Sequence, residues 1–296
     1  MANVSICIPT FNRKDYLAQT LDSVYAQTYP DYKVFVVDDG STDGTADMIR
    51  NAGYKNLTYH WQANAGDAAA RNKLIELAQG QFIVFLDSDD LLTRDAVERM
   101  IRVMEKEGGQ VVVYGSYIRI DQDGNACGRC KRKLYSGYIT KHLFEDIIVH
   151  SCGSMFPTRL LRSEGGFDTA LPVCSDYDLW LRLSLKTKFI ALPDPTFKRR
   201  RHGGNLSEAS SKNKLTELGV LRRFYNELGD RDVIPETLAK RRFSREEYRV
   251  GKSALQEHNL QLARCHFRQS FREHPNVKAL LMWMFLSLKQ KSLAAP

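Results

Sequence analysis

FIVFLDSDDLL, residues 82–92, runs from five apolar residues directly into three carboxylates, Asp87, Asp89 and Asp90. Two readings compete for such a stretch. An Asp cluster after an apolar run is an ordinary turn opening a solvated helix. Closely spaced carboxylate oxygens also suit a hard divalent cation such as Mg²⁺ or Mn²⁺. The position of the stretch in the fold has to decide between them.

Working outward, VSICI (residues 4–8), KVFVV (33–37), LTYH (57–60) and VVVYGSYI (111–118) join FIVFL as expected strands. Short, near-continuous apolar runs are what parallel strands buried on both faces require. Between them, residues 14–27, 45–51, 67–79 and 93–107 carry helical spacing. The alternation predicts an α/β domain whose mostly parallel sheet is flanked by helices. Ligands of such sheets bind beyond the carboxyl ends of the strands. Polar clusters fall there four times in succession: PTFN (9–12), DDGSTDGT (38–45), NAGDAAARN (64–72) and DSDD (87–90). Each alone is a set of turn formers, but their repetition at successive strand ends favours one site.

The 296 residues are 43% hydrophobic and 26% charged, enough for a sizeable core in one large domain or slightly more. The apolar run 279–288 is too short to span a bilayer and no secretory leader is read at the N-terminus, so a cytoplasmic protein is expected. Six scattered cysteines, with a single CxxC at Cys127 and Cys130, point to free thiols rather than a zinc or redox site. The net charge of +8 is unevenly placed. Residues 1–110 hold 11 Lys and Arg against 16 Asp and Glu, leaving 32 against 19 for the remainder. A basic rear half suggests an anionic partner. The clusters CKRK (130–133), KRRR (198–201) and AKRR (239–242) lack a nucleic-acid module or a row of aromatics, so no nucleic-acid partner is expected. No GxGxxG follows the first strand and no GxxxxGK[ST] occurs, which removes the usual support for dinucleotide and P-loop readings. Three acids on one strand end also suit a metal better than the acid and base of a glycoside hydrolase.

VSICIPTFNR, VVDDGSTDGT, NAGDAAARN, FLDSDD and GGFDTALPVCSDYDLWLRL, taken in this order, resemble the family 2 glycosyltransferases over about residues 4–207. These are inverting, nucleotide-sugar-dependent enzymes of the GT-A fold, Rossmann-like and mostly parallel. The resemblance implies that Pro9, Thr10 and Phe11 line the nucleoside pocket. Asp39 would accept from the N3–H of uracil or thymine, a sensible pairing because a carboxylate only accepts. Asn64 and Arg71 would line the nucleotide pocket, Asp87 would face the ribose, and Asp89 would ligate Mn²⁺ or Mg²⁺. A cation held there neutralises the departing nucleoside diphosphate. Asp90 and Asp95 better fit a helix start favoured by its dipole. In KRRRHGGNLS (198–207), His202 is implied as a further metal ligand and Arg199 to Arg201 as diphosphate contacts; an exposed loop histidine is the alternative for His202.

The resemblance implies that Asp176 is the general base. Glu-Asp is usual at the positions of residues 175 and 176, and Ser175 here is expected to alter acceptor binding or the base's pKa. The plainer role of Asp176 is a helix N-cap. Asp178 and Arg182, at i and i+4, read as a helix-stabilising pair, and Leu179, Trp180 and Leu183 as packing residues. Residues 1–210 are thus expected to form the GT-A domain and 211–296 a helical region. Helical spacing there covers 215–228, 245–257, 260–273 and 277–288, with one tetratricopeptide-like hairpin at 251–275. The last helix, KALLMWMFLSLKQK (278–291), reads as core packing or as a membrane-interface helix. The expected activity is transfer of one sugar from a UDP- or dTDP-sugar to a glycan or lipid-linked saccharide in surface polysaccharide synthesis. The alternative is a non-catalytic nucleotide-sugar or anionic-glycan binding protein, which would not need Asp176.

Overall fold

Every residue of β1 (Val4–Thr10) is buried. Its alternate side chains serve two layers. Val4, Ile6 and Ile8 enter a core with Leu17, Leu21 and Val24, one helical stripe of α1 (Lys14–Tyr25). On the other face Ser5 Oγ accepts the N–H groups of Gln79 and Gly80, and the Cys7 thiol donates to Leu74 O. Burial on both faces is why the run is continuously apolar, and each fully buried Val or Ile side chain contributes about 1.5–3 kcal/mol.

The computed structural model describes residues 3–202, 210–229 and 231–293. After α1 come β2 (Tyr32–Asp38), α2 (Thr45–Ala52), β3 (Leu57–Trp61), α3 (Asp67–Leu77), β4 (Phe82–Phe85), the two-residue β5 (Leu91–Leu92) and α4 (Ala96–Lys106). The chain then runs through β6 (Val112–Tyr114), β7 (Tyr117–Ile120), β8 (Ala126–Arg129), α5 (Thr140–Glu145), β9 (Ser154–Pro157), α6 (Thr158–Ser163), α7 (Ser175–Ser184), β10 (Phe189–Ala191) and β11 (Phe197–Arg200). Among the described residues, seven strands form one sheet in the order β10-β6-β9-β4-β1-β2-β3, and β9 alone is antiparallel to its neighbours. A second sheet has the order β5-β11-β7-β8. Thr10 pairs with Asp38, Asp38 with Trp61 and Cys7 with Phe85. That register brings the carboxyl ends of the first four strands to one edge.

Two expectations need correction here. VVVYGSYI is not one strand, because it breaks at Gly115 and Ser116 and feeds both sheets. A Cβ on Gly115 would lie 2.6 Å from Thr196 Cγ2, so the close pass of Thr196 requires glycine and turns the chain. Asp90 opens no helix either. It sits in the turn before β5, and Asp95 occupies the position before α4.

The chain divides into two compact units, Met1–Asn205 and Leu206–Pro296. The second contains α8 (Ser211–Arg223) with a π-helical turn at Phe224–Leu228, α9 (Glu236–Gln256), α10 (Leu260–Glu273) and α11 (Val277–Leu293). Helix α9 starts nine residues before the expected 245. Its buried positions include Arg242, Glu246 and Glu247, which hide the apolar periodicity. Arg242 pairs there with Glu217 and Glu246, so AKRR is partly an interior ion-pair network rather than a surface cluster. Gly251 lets α9 close on α10, since a Cβ would lie 2.9 Å from the Phe267 ring. On α11, Ala279 and Leu286 are buried while Val277, Leu281, Met284, Phe285 and Leu288 are exposed. No helix among the described residues is long and apolar enough to cross a membrane. All six cysteines are free thiols.

Candidate active site

The four loops at the sheet edge are bonded to one another. Asn12, in the left-handed region at φ 50°, donates its N–H to Ser41 Oγ and accepts from Thr42 N–H, tying the first loop to the second. Asp39 ties the second to the third. Its Oδ1 accepts from Gln62 Nε2 at 2.7 Å and Ala65 N at 2.9 Å, and its Oδ2 from Gly66 N at 2.8 Å. A carboxylate has about four lone-pair positions, so Oδ2 keeps one for a further donor. Gly40, at φ +90°, passes so near Asn64 that a Cβ would come within 3.0 Å of its backbone nitrogen. Pro9 and Thr10 are buried beneath this loop, whereas Phe11 and Asn64 are exposed.

Arg71 ties the third loop to the fourth. The guanidinium is buried over the rings of Phe85 and Phe167, each 5.7 Å away. Its Nε donates to Asp67 at 2.8 Å and its Nη2 to Asp87 at 2.5 Å. Nη1 is buried with no hydrogen-bond partner among the described residues. Burial works to raise the Asp87 carboxyl, but Arg71, a hydrogen bond with Cys152 and the Arg199 charge together hold it below the usual range. Asp87 is therefore an anion.

Asp89 and His202 meet at 2.9 Å, Oδ2 to Nε2. The imidazole stacks on Tyr16 with centroids 5.0 Å apart. Arg200, expected at a diphosphate, is instead almost wholly buried. It donates to the main-chain oxygens of Asp89, Asp121 and Gln122 and to Gln19, so its role is to hold the DSDD loop. Asp90 accepts from Arg200 N–H, and burial followed by its neighbours Asp87 and Asp89 pushes its carboxyl well above the ordinary value. Of the basic segment, residues 203–207 lie outside the described residues.

Helix α7 begins at Ser175 with Cys174 in the cap position at φ 63°, which places Asp176 in the first turn. It is not the N-cap. Its Oδ1 accepts from Tyr177 N at 2.7 Å and its Oδ2 faces Ser151 Oγ at 3.4 Å. Burial raises its pKa against the opposing pull of Arg71, and Asp67 and Asp87 add to the rise. Asp178 and Arg182 pair at 2.9 Å, and Arg182 also donates to the carbonyls of Glu164 and Gly166. Gly166 and Phe167 are docked on Asn72, whose side chain bonds both ways with the Phe167 backbone at 2.8 Å. Leu179, Trp180 and Leu183 are buried.

The sequence reading missed His150, Ser151 and Cys152. The Cys152 thiol accepts Asp87 N–H at 3.0 Å, and burial lowers the His150 pKa to about 3, with Arg199 and Arg132 adding to the fall. Their signal is faint: with Gly153 they are four small or polar residues between the runs IIV and SMF. Asp87, Asp90 and Cys152 place a ligand atom each within 4.8 Å of one another. Burial and the adjacent carboxylates push the Cys152 thiol far up, and a neutral thiol is a poor ligand for a hard cation. Carboxylate oxygens such as those of Asp87 and Asp89 are the donors that fit Mg²⁺ or Mn²⁺. The edge thus gathers the Asp87 anion, the guanidinium fork of Arg71 and the Asp176 carboxyl, whose pKa burial raises.

Known proteins resemble this chain in sequence and in fold. A relative described as an uncharacterized glycosyltransferase of Rickettsia typhi is 30% identical over 223 residues, covering 74% of this chain and 70% of that protein. Chondroitin synthase of Escherichia coli is 32% identical over 213 residues, covering 69% of this chain and 30% of that protein. The chain likewise spans about a third of the relatives from Rickettsia conorii and Rickettsia felis, 31% and 33% of their lengths. Among solved structures, S. aureus TarS 1-349 in complex with UDP-GlcNAc superposes with a TM-score of 0.67 at 15% identity, covering 98% of this chain and 92% of that one. The mannosyltransferase PcManGT from Pyrobaculum calidifontis, in complex with GDP-Man and Mn²⁺, gives 0.59 at 18% identity, with 99% and 80% covered. The architecture is the GT-A fold. The model of glycosyl transferase family 2 matches residues 5–160, over half the chain, and the chain belongs to that family.

Proposed function

We propose that this chain is an inverting glycosyltransferase that moves one sugar from a UDP- or dTDP-sugar to a hydroxyl of a glycan or lipid-linked saccharide. The observation that carries this reading is the Asp176 carboxyl, held in the first turn of α7 with Oδ2 facing Ser151 Oγ at 3.4 Å, where burial raises its pKa. A carboxylate with a raised pKa is a stronger base once ionised, which is what removing a hydroxyl proton requires. Asp176 takes the acceptor proton as the acceptor oxygen attacks the anomeric carbon. The carbon–oxygen bond to the diphosphate breaks, and a single displacement inverts the centre.

Asp39 receives the pyrimidine N3–H on its remaining lone pair, with Pro9, Thr10, Phe11 and Asn64 around the nucleoside. Arg71 lies near the base or phosphates of the donor, where its guanidinium holds Asp67 and Asp87 in place. Asp89 and His202 would hold Mn²⁺ or Mg²⁺, which neutralises charge on the departing nucleoside diphosphate. The relative described as a chondroitin synthase supports a polysaccharide pathway. The exposed apolar stripe of α11 supports peripheral contact with the inner face of a membrane.

Calorimetric titration with UDP, dTDP, GDP and CDP, with and without Mn²⁺, tests the reading. Metal-dependent binding of UDP or dTDP that Asp89→Ala abolishes is expected. No binding of any nucleotide under any condition overturns it.

A further inference from the structure

Between Gly124 and Phe144 the sequence holds five Lys and Arg and no Asp or Glu. Arg129, Lys131, Arg132 and Lys133 are all exposed there, as is Tyr138. Like charges at this density repel, and the ordinary outcome is a solvated tail. This segment is instead fastened at both ends. Cys130 donates its N–H to Tyr117 O at 2.9 Å, and Gly137 exchanges both backbone bonds with Phe189. Between these points Tyr114 hydroxyl bonds both the N–H and the carbonyl of Tyr135, and Ser136 Oγ accepts from Ala191 N–H. The cations are displayed on a fixed surface.

The same segment touches residues next to the candidate active site. Arg132 donates to Ile147 O, on the segment leading to His150, Ser151 and Cys152. The Tyr117 ring lies edge-on to His150 at 5.0 Å and carries Arg199 over its face at 5.6 Å. Arg132 is therefore tied to the segment 147–152, whose Ser151 faces Asp176.

We propose that Arg129, Lys131, Arg132 and Lys133, with Tyr138, form a subsite for a polyanionic saccharide acceptor, binding its carboxylate or phosphate groups some units behind the hydroxyl delivered to Asp176. This rests on the glycosyltransferase reading. A saccharide fits better than a nucleic acid because single-stranded binding uses rows of open aromatic faces. Here the Tyr135 ring is stacked on His142 at 3.7 Å and lies beneath Lys133, and the exposed Tyr138 ring has Lys188 over it at 5.9 Å, so no row of open faces exists in this segment.

The test is calorimetry on the full chain at low salt. The probes are an unsulfated chondroitin hexasaccharide, a poly(glycerol phosphate) oligomer, neutral laminarihexaose and a 15-nucleotide single-stranded DNA. Each cation–anion contact at about 4 Å in water is worth a factor of about five in affinity. Lys131→Ser/Lys133→Ser should therefore bind the preferred anionic saccharide roughly twenty-five-fold more weakly. Lys55→Ser/Lys106→Ser, with the same loss of charge elsewhere, should bind it as wild type does, and laminarihexaose should bind far more weakly. Preference for hexasaccharide or phosphate oligomer identifies the anion. Equal loss in both double variants, unchanged binding in Lys131→Ser/Lys133→Ser, or tighter binding of the DNA would overturn the subsite. UDP titration on the same samples keeps the two readings apart: UDP binding without saccharide binding removes the subsite alone, and loss of both removes the enzyme reading.

Discussion

His202 Nε2 lies 2.9 Å from Asp89 Oδ2 across 113 positions of sequence. Two different loops deliver the pair, and each is held by its own contacts. Tyr16 stacks on the imidazole, and Arg200 fixes the Asp89 carbonyl. If the pair ligates a cation with the donor, Asp89→Ala should abolish Mn²⁺-dependent nucleotide binding. His202→Ala should weaken it by about 10- to 100-fold, the range seen when groups supporting a metal site are removed, while metal-free nucleotide affinity stays the same. Titrations with and without Mn²⁺ check this; equal effects in both conditions would assign the pair to folding alone.

Arg71 joins two carboxylates whose side chains are about two-fifths exposed, 40% for Asp67 and 41% for Asp87. Breaking a fully buried pair costs about 3–5 kcal/mol, and partial access to water should reduce that to about 2–3 kcal/mol for Arg71→Ala. Arg71→Lys keeps the charge but cannot serve both acids and pack over Phe85 and Phe167 together. It should recover less than half of the loss in urea unfolding. Full recovery by lysine would mean that charge, not the fork, is what the site uses.

Much of this arrangement is legible in the sequence because strand burial and loop chemistry follow simple rules. The run Phe82 to Leu86 is apolar because both faces are covered, and the polar clusters fall at strand ends that the register then aligns. The loop from His150 to Cys152 was not legible, since its contacts with Asp87 and Asp176 depend on antiparallel β9 inserting beside β4, which no local pattern announces. Arg200 and Arg242 misled for the opposite reason. Each stands in a basic cluster that looks solvated, yet each is buried among oxygens that lie far away in sequence or on neighbouring turns.

Asp176→Asn should leave nucleotide affinity unchanged and reduce transfer by about 10²–10⁴-fold. The amide keeps an acceptor for Tyr177 N–H. Burial raises the wild-type pKa in the folded state, so the native protein holds this proton longer than the unfolded chain does. Its contribution to stability therefore declines as pH rises from the ordinary carboxylate range through the raised pKa. The variant lacks that decline and should gain on wild type across this window, with a constant difference above it. Urea midpoints at several pH values measure the difference. The acid limb of the transfer rate should likewise lie above the ordinary Asp range, and a limb at the ordinary value would remove Asp176 as base.

Gly251→Ala poses helix propensity against packing. Alanine favours a helix interior by about 1 kcal/mol, but its Cβ would stand 2.9 Å from the Phe267 ring that joins α9 to α10. Overpacking typically costs about 1–3 kcal/mol, so a net loss is expected. Gly251→Ala combined with Phe267→Leu should lose less than the sum of the two single changes, because the smaller side chain relieves the clash. Additive losses would show that Gly251 is needed for something other than this contact.

The two faces of α11 separate packing from surface binding. Leu286 is buried in the cluster of Ala254, Ala263 and Phe267, so Leu286→Ala should destabilise the helical unit by about 2–3 kcal/mol. Leu281, Phe285 and Leu288 stand on the exposed stripe at i, i+4 and i+7, and changing all three to Ser should leave the unfolding midpoint nearly unchanged. An interfacial helix binds by burying such side chains in the headgroup region, at about 1.5 kcal/mol or more each. Co-sedimentation with anionic vesicles should therefore fall more than tenfold in the triple Ser variant. If wild type and variant sediment alike, the stripe has no role at a membrane; if the variant unfolds, the stripe belongs to the core after all.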